Sequence, residues 1–211
     1  IEVAQGKRGF SQFTRGTMVC SAPQSEPLVG FAKTAKIAAL SPPNEDKEII
    51  KNRRMDYYRY MSEVSGPSIA VIEDEDFPDC IGVYWGEINT KIHKRFGLSG
   101  VLTNGVVRDL GDLAEDFPVI AGSIGPSHGF VHVCEINTEI KLFGMKVAPN
   151  DLIHADLHGA VVIPETIIEN LQEAIHKLFD SERLILEPTE KKDFNFDTFK
   201  DAWEKFEKSR T

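Results

Sequence analysis

Three short apolar runs, "SIAVIED" (68–74), "SGVLTNG" (99–105) and "FPVIAGS" (117–123), are each entered from a helical or irregular segment. This alternation restricts the fold more than any other feature of the chain. β-Branched runs of this length read as buried strands, and strands that follow helices pair in parallel as βαβ units. An α/β architecture follows.

The remaining segments fit around that centre. Residues 27–40, "PLVGFAKTAKIAAL", predict a strand or two closed by Pro42 and Pro43. After Asn44, the stretch to Val64 sets Ile50, Tyr57, Met61 and Val64 on one helical face behind an acidic first turn. "GVYWGEINTKIHKRFG" places Trp85, Ile88 and Ile92 at helical spacing, with Gly97 as the stop. From residue 129 onward short strands separated by Gly or Asn predict a β-rich layer. Pro164 then opens a helix with Ile168, Leu171, Ile175 and Leu178 on one face. One large domain over 1–186 is expected, then a polar linker and an amphipathic helix over 187–211. In that last helix Phe196, Phe199, Trp203 and Phe206 form an apolar stripe, for docking on its own domain or on a neighbouring subunit.

Composition narrows the classes of function. The chain has 211 residues and a net charge of -9, which argues against a nucleic-acid surface. No apolar run approaches the ~20 residues of a membrane span and the first residues have no signal-peptide core, so a cytoplasmic protein without a membrane partner is expected. Three cysteines, Cys20, Cys80 and Cys134, lie far apart with no C-x-x-C, and read as buried free thiols.

Two stretches carry candidate chemistry. In "WGEIN", Gly86 lets the backbone approach a ligand closely. A helix first turn there offers the amides of Gly86, Glu87, Ile88 and Asn89 to a carboxylate. In "TNGVVRDLGDL", Arg108 and Asp109 leave the C-terminal end of a strand, where α/β folds collect ligands. Arginine forks onto carbonyl or carboxylate oxygens, and aspartate oxygen is a hard ligand for Mg²⁺ or Mn²⁺. By spacing alone the pair is equally readable as a surface ion pair. Asp112 follows three residues later and shares a face with Asp109 if the segment turns helically. His128 in "SIGPSHGF" is a weaker candidate for carrying a phosphoryl group. His154 and His158 lie in a strand-and-turn segment and read as structural. No G-x-S-x-G, P-loop or strand-borne G-x-G-x-x-G is present, which disfavours nucleotide-dependent chemistry.

These stretches, "WGEINTKIHKRFGLSGVLTNGVVRDLGDLAEDFPVIA" with "KVAPNDLIHADLHGAVVIP", resemble the RraA-like family. That family contains the regulator of ribonuclease activity A, 4-hydroxy-4-methyl-2-oxoglutarate aldolases and oxaloacetate decarboxylases. The resemblance implies a swivelling β/β/α sandwich, assembled as a trimer or a dimer of trimers, and a divalent metal. It further implies that the amides of Gly86, Glu87, Ile88 and Asn89 bind the pyruvyl carboxylate and that Arg108 binds substrate. Asp109 would hold Mg²⁺ or Mn²⁺, with Asp112 acting on it through water. The implied activity is that of a lyase on small 2-oxo acids, by oxaloacetate decarboxylation or pyruvate-yielding retro-aldol cleavage. The alternative is a non-catalytic regulator that binds a ribonuclease or another protein. The family pattern differs here at Asn150, where glycine is usual, and at Asn104, where aspartate is frequent.

Overall fold

A computed structural model describes residues 1–16 and 18–209. In chain order the elements are α1 (Glu2–Gln5), β1 (Val19–Cys20), β2 (Leu28–Ala38), α2 (Lys47–Ser62), β3 (Ser68–Asp74), β4 (Val83–Trp85), α3 (Glu87–Phe96), β5 (Val101–Thr103) and β6 (Val106–Val107). They continue with β7 (Val119–Ala121), β8 (Ser123–Ile124), β9 (His132–Ile136), β10 (Ile140–Leu142), β11 (Met145–Val147), β12 (Leu152–Asp156), β13 (Gly159–Ile163), α4 (Ile168–Thr189) and α5 (Phe196–Ser209).

The expected parallel centre is present, with β3 between β2 and β5 and with β7 beyond β5. The sheet runs β1-β7-β5-β3-β2-β12-β13, and β9 also pairs with β2. At eleven residues β2 is long enough for two partners on one edge, β12 along 28–31 and β9 along 35–38. The reason the central strands read as unbroken apolar runs is visible in their packing. Ala70 and Ile72 of β3 enter one core with Tyr57, Met61 and Trp85, whereas Ile69 and Val71 enter another with Ile140, Leu142 and Met145. Alternate residues thus serve opposite faces, so polar positions are absent from both. Truncating a side chain such as Leu102 to alanine removes ~2–5 kcal/mol.

A second, three-stranded parallel sheet, β4-β6-β8, stands apart from the large one. It positions the candidate site.

Two sequence expectations need correction. Trp85 ends strand β4 rather than opening a helix, and Ile88 is 72% exposed. The buried residues of α3 are Thr90 and His93, because Gly86 starts the helix one residue later than the apolar spacing suggests. Further on, α4 continues through Glu187 and Pro188 to Thr189, where a linker was expected to begin. The chain divides into two compact units that differ from the expected 1–186 and 187–211, namely Ser11–Ile163 and a unit of Ile1–Phe10 with Pro164–Thr211. In the latter, α5 and α1 both pack on α4. No helix among the described residues is long and apolar enough to cross a membrane.

Candidate functional site

The three strands of the small sheet end at one edge. Val83 is level with Val106, Trp85 with Val107, and Val107 with Ile124. Each strand delivers a different chemical piece there: β4 runs into Gly86 and α3, β6 into Arg108 and Asp109, and β8 into Gly125 and Pro126. The Arg108 N–H donates to the Trp85 carbonyl at 3.0 Å, and the Gly125 N–H donates to the Val107 carbonyl at 3.1 Å. These bonds lock the three strand ends together. An open groove results, lined by Arg108, Asp109, Leu110, Ile124, Gly125 and Pro126.

Asp109 is fixed from two directions. Its Oδ2 accepts the Glu87 N–H at 3.1 Å and lies 3.4 Å from Arg108 Nε. Its backbone takes φ 54°, a left-handed value that L residues adopt at a cost. Gly86 is what permits the approach, since a Cβ there would stand 2.5 Å from Asp109 Oδ2 and 3.3 Å from Arg108 Cγ. The glycine noted for ligand access thus first admits the protein's own carboxylate.

The first turn of α3 offers fewer amides than its sequence suggests. Glu87 N–H is taken by Asp109, whereas the Ile88 and Asn89 N–H groups have no acceptor among the described residues. The Asn89 side chain turns inward, donating from Nδ2 to the Tyr84 carbonyl at 2.6 Å and accepting the Tyr58 hydroxyl at 2.8 Å. The Glu87 carboxylate is engaged by Lys91.

Asp112 lies in a turn, not a helix. Its N–H donates to the Asp109 carbonyl at 2.8 Å and its side chain is exposed. The condition for a shared helical face, a helical segment, is not met, since residues 110–112 form a turn.

The residues fit a hard cation of modest demands. Among the described residues no three Cys, His, Asp or Glu gather as a ligand cluster. Mg²⁺ and Mn²⁺ sites commonly rest on one or two carboxylates and complete their shell with water and substrate. Asp109, partly exposed and held in place beside the Gly86 cradle, has the chemistry such a site requires.

Several residues escaped the reading from sequence. Ile124, Gly125 and Pro126 line the groove, although attention in that loop fell on His128, which does not. Tyr58 has no sequence signal, because it reaches Asn89 from α2, and Tyr84 contributes only its backbone carbonyl from the strand before α3. His154 and His158 stay outside the groove, and His158 Nδ1 lies 3.4 Å from Asp156 Oδ2. The three cysteines are free and partly buried, and burial pushes the Cys80 and Cys134 thiols up to about 12.

The RraA-like family model, described as Aldolase/RraA, matches residues 6–162. The chain belongs to the RraA-like family. A candidate 4-hydroxy-4-methyl-2-oxoglutarate aldolase of Halalkalibacterium halodurans is 28% identical over 162 residues, covering 75% of this chain and 70% of that protein. Protein DlpA of Legionella pneumophila is 30% identical over 121 residues, 56% of this chain. This chain spans only 19% of the length of DlpA. In fold, the chain is similar to RraAS2 of Streptomyces coelicolor, described as an unusual member of the RNase ES inhibitor RraA protein family. The TM-score is 0.61 at 21% identity, over 86% of this chain and 84% of that one. The α/β sandwich expected of an RraA-like protein is therefore the fold observed, with helices at its C-terminal end. The family holds both aldolases and RNase regulators.

Proposed function

We propose that this RraA-like chain is a divalent-metal-dependent lyase that releases pyruvate from small 2-oxo acids, by decarboxylating oxaloacetate or by retro-aldol cleavage. The observation that carries the reading is the meeting of a helix first turn, Arg108 and Asp109 at one edge of the small parallel sheet.

The Ile88 and Asn89 amides hold the substrate 1-carboxylate, where the helix dipole favours negative charge. Arg108 donates to the 2-oxo oxygen. As the C3–C4 bond breaks, its electron pair moves toward that oxygen as an enolate, and the guanidinium is already in place to receive the charge. Carbon dioxide departs from oxaloacetate, whereas in the retro-aldol the C4 hydroxyl gives its proton to water as the aldehyde or ketone leaves; in both, a proton from water restores the methyl group of pyruvate. Asp109 would hold Mg²⁺ or Mn²⁺, with Asp112 acting through water. The metal, when bound, supplies Lewis-acid polarisation of the same oxygen. The amides and Arg108 fix the 2-oxo acid in one orientation, which keeps the breaking bond aligned.

Assembly into a trimer or a dimer of trimers belongs to the same reading. The exposed Ile88, Leu110 and Ile124 beside the groove support it, since apolar side chains at a site rim gain from being covered.

The deciding experiment is a pyruvate-release assay on oxaloacetate and 4-hydroxy-2-oxo acids, with Mg²⁺ or Mn²⁺ and with chelator. Metal-dependent release is expected. Absence of release from every such substrate sinks the proposal, and capture of a ribonuclease that is unaffected by Asp109→Ala would favour the regulator instead.

A further inference from the structure

Behind the groove, α3 is tied to α2 by a buried polar chain that the proposed chemistry does not use. His93, fully buried, has Nδ1 2.6 Å from the Asn89 carbonyl and Nε2 2.8 Å from the Tyr57 hydroxyl. A carbonyl only accepts, so Nδ1 carries the proton. Nε2 is left as an acceptor, and Tyr57 must donate to it. A second chain runs beside the first, in which Tyr58 O–H donates to Asn89 Oδ1 and Asn89 Nδ2 donates to the Tyr84 carbonyl. Both chains end on Asn89. Its amide side chain is thus held by α2 and β4 and its carbonyl by His93, while its own N–H and that of Ile88 have no acceptor among the described residues.

We infer that Tyr58 and the Tyr57–His93 pair are positioning residues, which set the first turn of α3 so that the Ile88 and Asn89 amides hold the carboxylate of a 2-oxo acid. This rests on the function proposed above. The physical basis is that Gly86 supplies no side-chain cap and Asp109 takes only the Glu87 N–H, so the Ile88 and Asn89 amides have no capping contact of their own. Asn89 receives from α2 the restraint that a capping side chain would otherwise supply. An anion site gains from amides that need no reorganisation when the ligand arrives. The Asp109 side of the groove is fixed separately, through Gly86 and Glu87, so metal binding and carboxylate binding are held by different supports.

The test uses Tyr58→Phe and Tyr57→Phe in the full chain. Affinity for oxalate, a dicarboxylate probe of the 2-oxo acid site, is measured by calorimetry with Mg²⁺ present. Mn²⁺ affinity is read by electron paramagnetic resonance without oxalate, and amide resonances of Ile88 and Asn89 report the turn directly. Expected for each variant are an oxalate dissociation constant and a KM raised about three- to tenfold. A kcat within about twofold of wild type, unchanged Mn²⁺ affinity and shifted Ile88 and Asn89 resonances complete the expectation. Variants that melt earlier yet keep oxalate affinity, KM and both resonances would overturn the inference and leave the proposed function standing. A wild-type chain that binds neither oxalate nor pyruvate and releases none overturns both. Because Tyr58 is only half-buried, its phenyl variant retains a folded chain on which the resonances are readable.

Discussion

Two aspartates close parallel strands in this chain, and their surroundings send them to opposite ends. Asp74 ends β3 and is 1% exposed. Its N–H and carbonyl are both held by the Asn104 side chain, at 2.7 and 3.0 Å, and its Oδ1 accepts the Asp76 N–H. Its Oδ2 is buried with no well-formed hydrogen bond among the described residues, and burial raises the carboxyl to about 6. Asp109 follows β6 into an open groove, with an arginine at hand and only one side of its carboxylate engaged. A sealed carboxylate at a strand end serves only the turn that follows it. Left open to water, it is accessible to a ligand.

The sharpest way to break this contrast is to remove the open carboxylate. Asp109→Ala is expected to lower pyruvate release about 1,000-fold while leaving the chain folded; a loss under tenfold, with chelator making no difference, would mean the groove does not work through it.

The reverse experiment removes the sealed charge. Asp74→Asn keeps an acceptor for Asp76 and should stabilise the chain by up to about 3 kcal/mol at pH 7, with no gain near pH 4. The sign follows from the folded value near 6 against the ordinary 3.8: the native chain holds this proton more tightly, so the contribution is full below about pH 4 and is lost as pH rises through 6. Urea melts at the two pH values decide, and an equal or negative change at pH 7 would show that Asp74 has partners enough as a charge.

Gly86→Ala tests the steric link between cradle and carboxylate. Pushing Asp109 Oδ2 away from a Cβ that would stand at 2.5 Å should cost about tenfold in activity with Mn²⁺ affinity reduced alongside; unchanged metal affinity would separate the two.

The smallest effect is a near-cancellation. His93, held neutral by burial down to about 4, loses its stabilising contribution as pH falls from about 6.5, whereas Asp74 gains over nearly the same range. These two groups together should change wild-type stability by less than about 1 kcal/mol between pH 4 and 6.5. In Asp74→Asn the opposing slope vanishes, so stability should then fall on acidification by up to about 3 kcal/mol. A variant as flat as wild type would refute the balance.

Much of this was legible from sequence because the central strands are buried on both faces. "SIAVIED" and "FPVIAGS" admit few alternatives, and parallel pairing follows from what separates them. Arg108 and Asp109 were legible as neighbours on a strand end, and Gly86 as a point of close approach. Apolar spacing misleads at Trp85 and Ile88, since strand and helix share the residues around Gly86. The turn after Asp109 was hidden because a left-handed aspartate has no sequence mark of its own. Tyr57 and Tyr58 of α2 meet His93 and Asn89 of α3 only through tertiary packing, which no local pattern encodes. Two departures from the family pattern acquire reasons in the structure. Asn150 takes φ 68°, a conformation that glycine adopts freely and asparagine tolerates. Asn104 donates from Nδ2 to the Asp74 carbonyl, a bond that an ionised aspartate could not make.

The left-handed backbone at Asp109 bears on how such a chain changes under selection. Glycine at that position would relieve the turn by about 1 kcal/mol, so a mutation that discards the carboxylate lies downhill in folding. A lineage released from any demand on this groove would therefore drift toward a sturdier, acid-free version of the same turn. Keeping aspartate here requires continual purging of its more stable replacements.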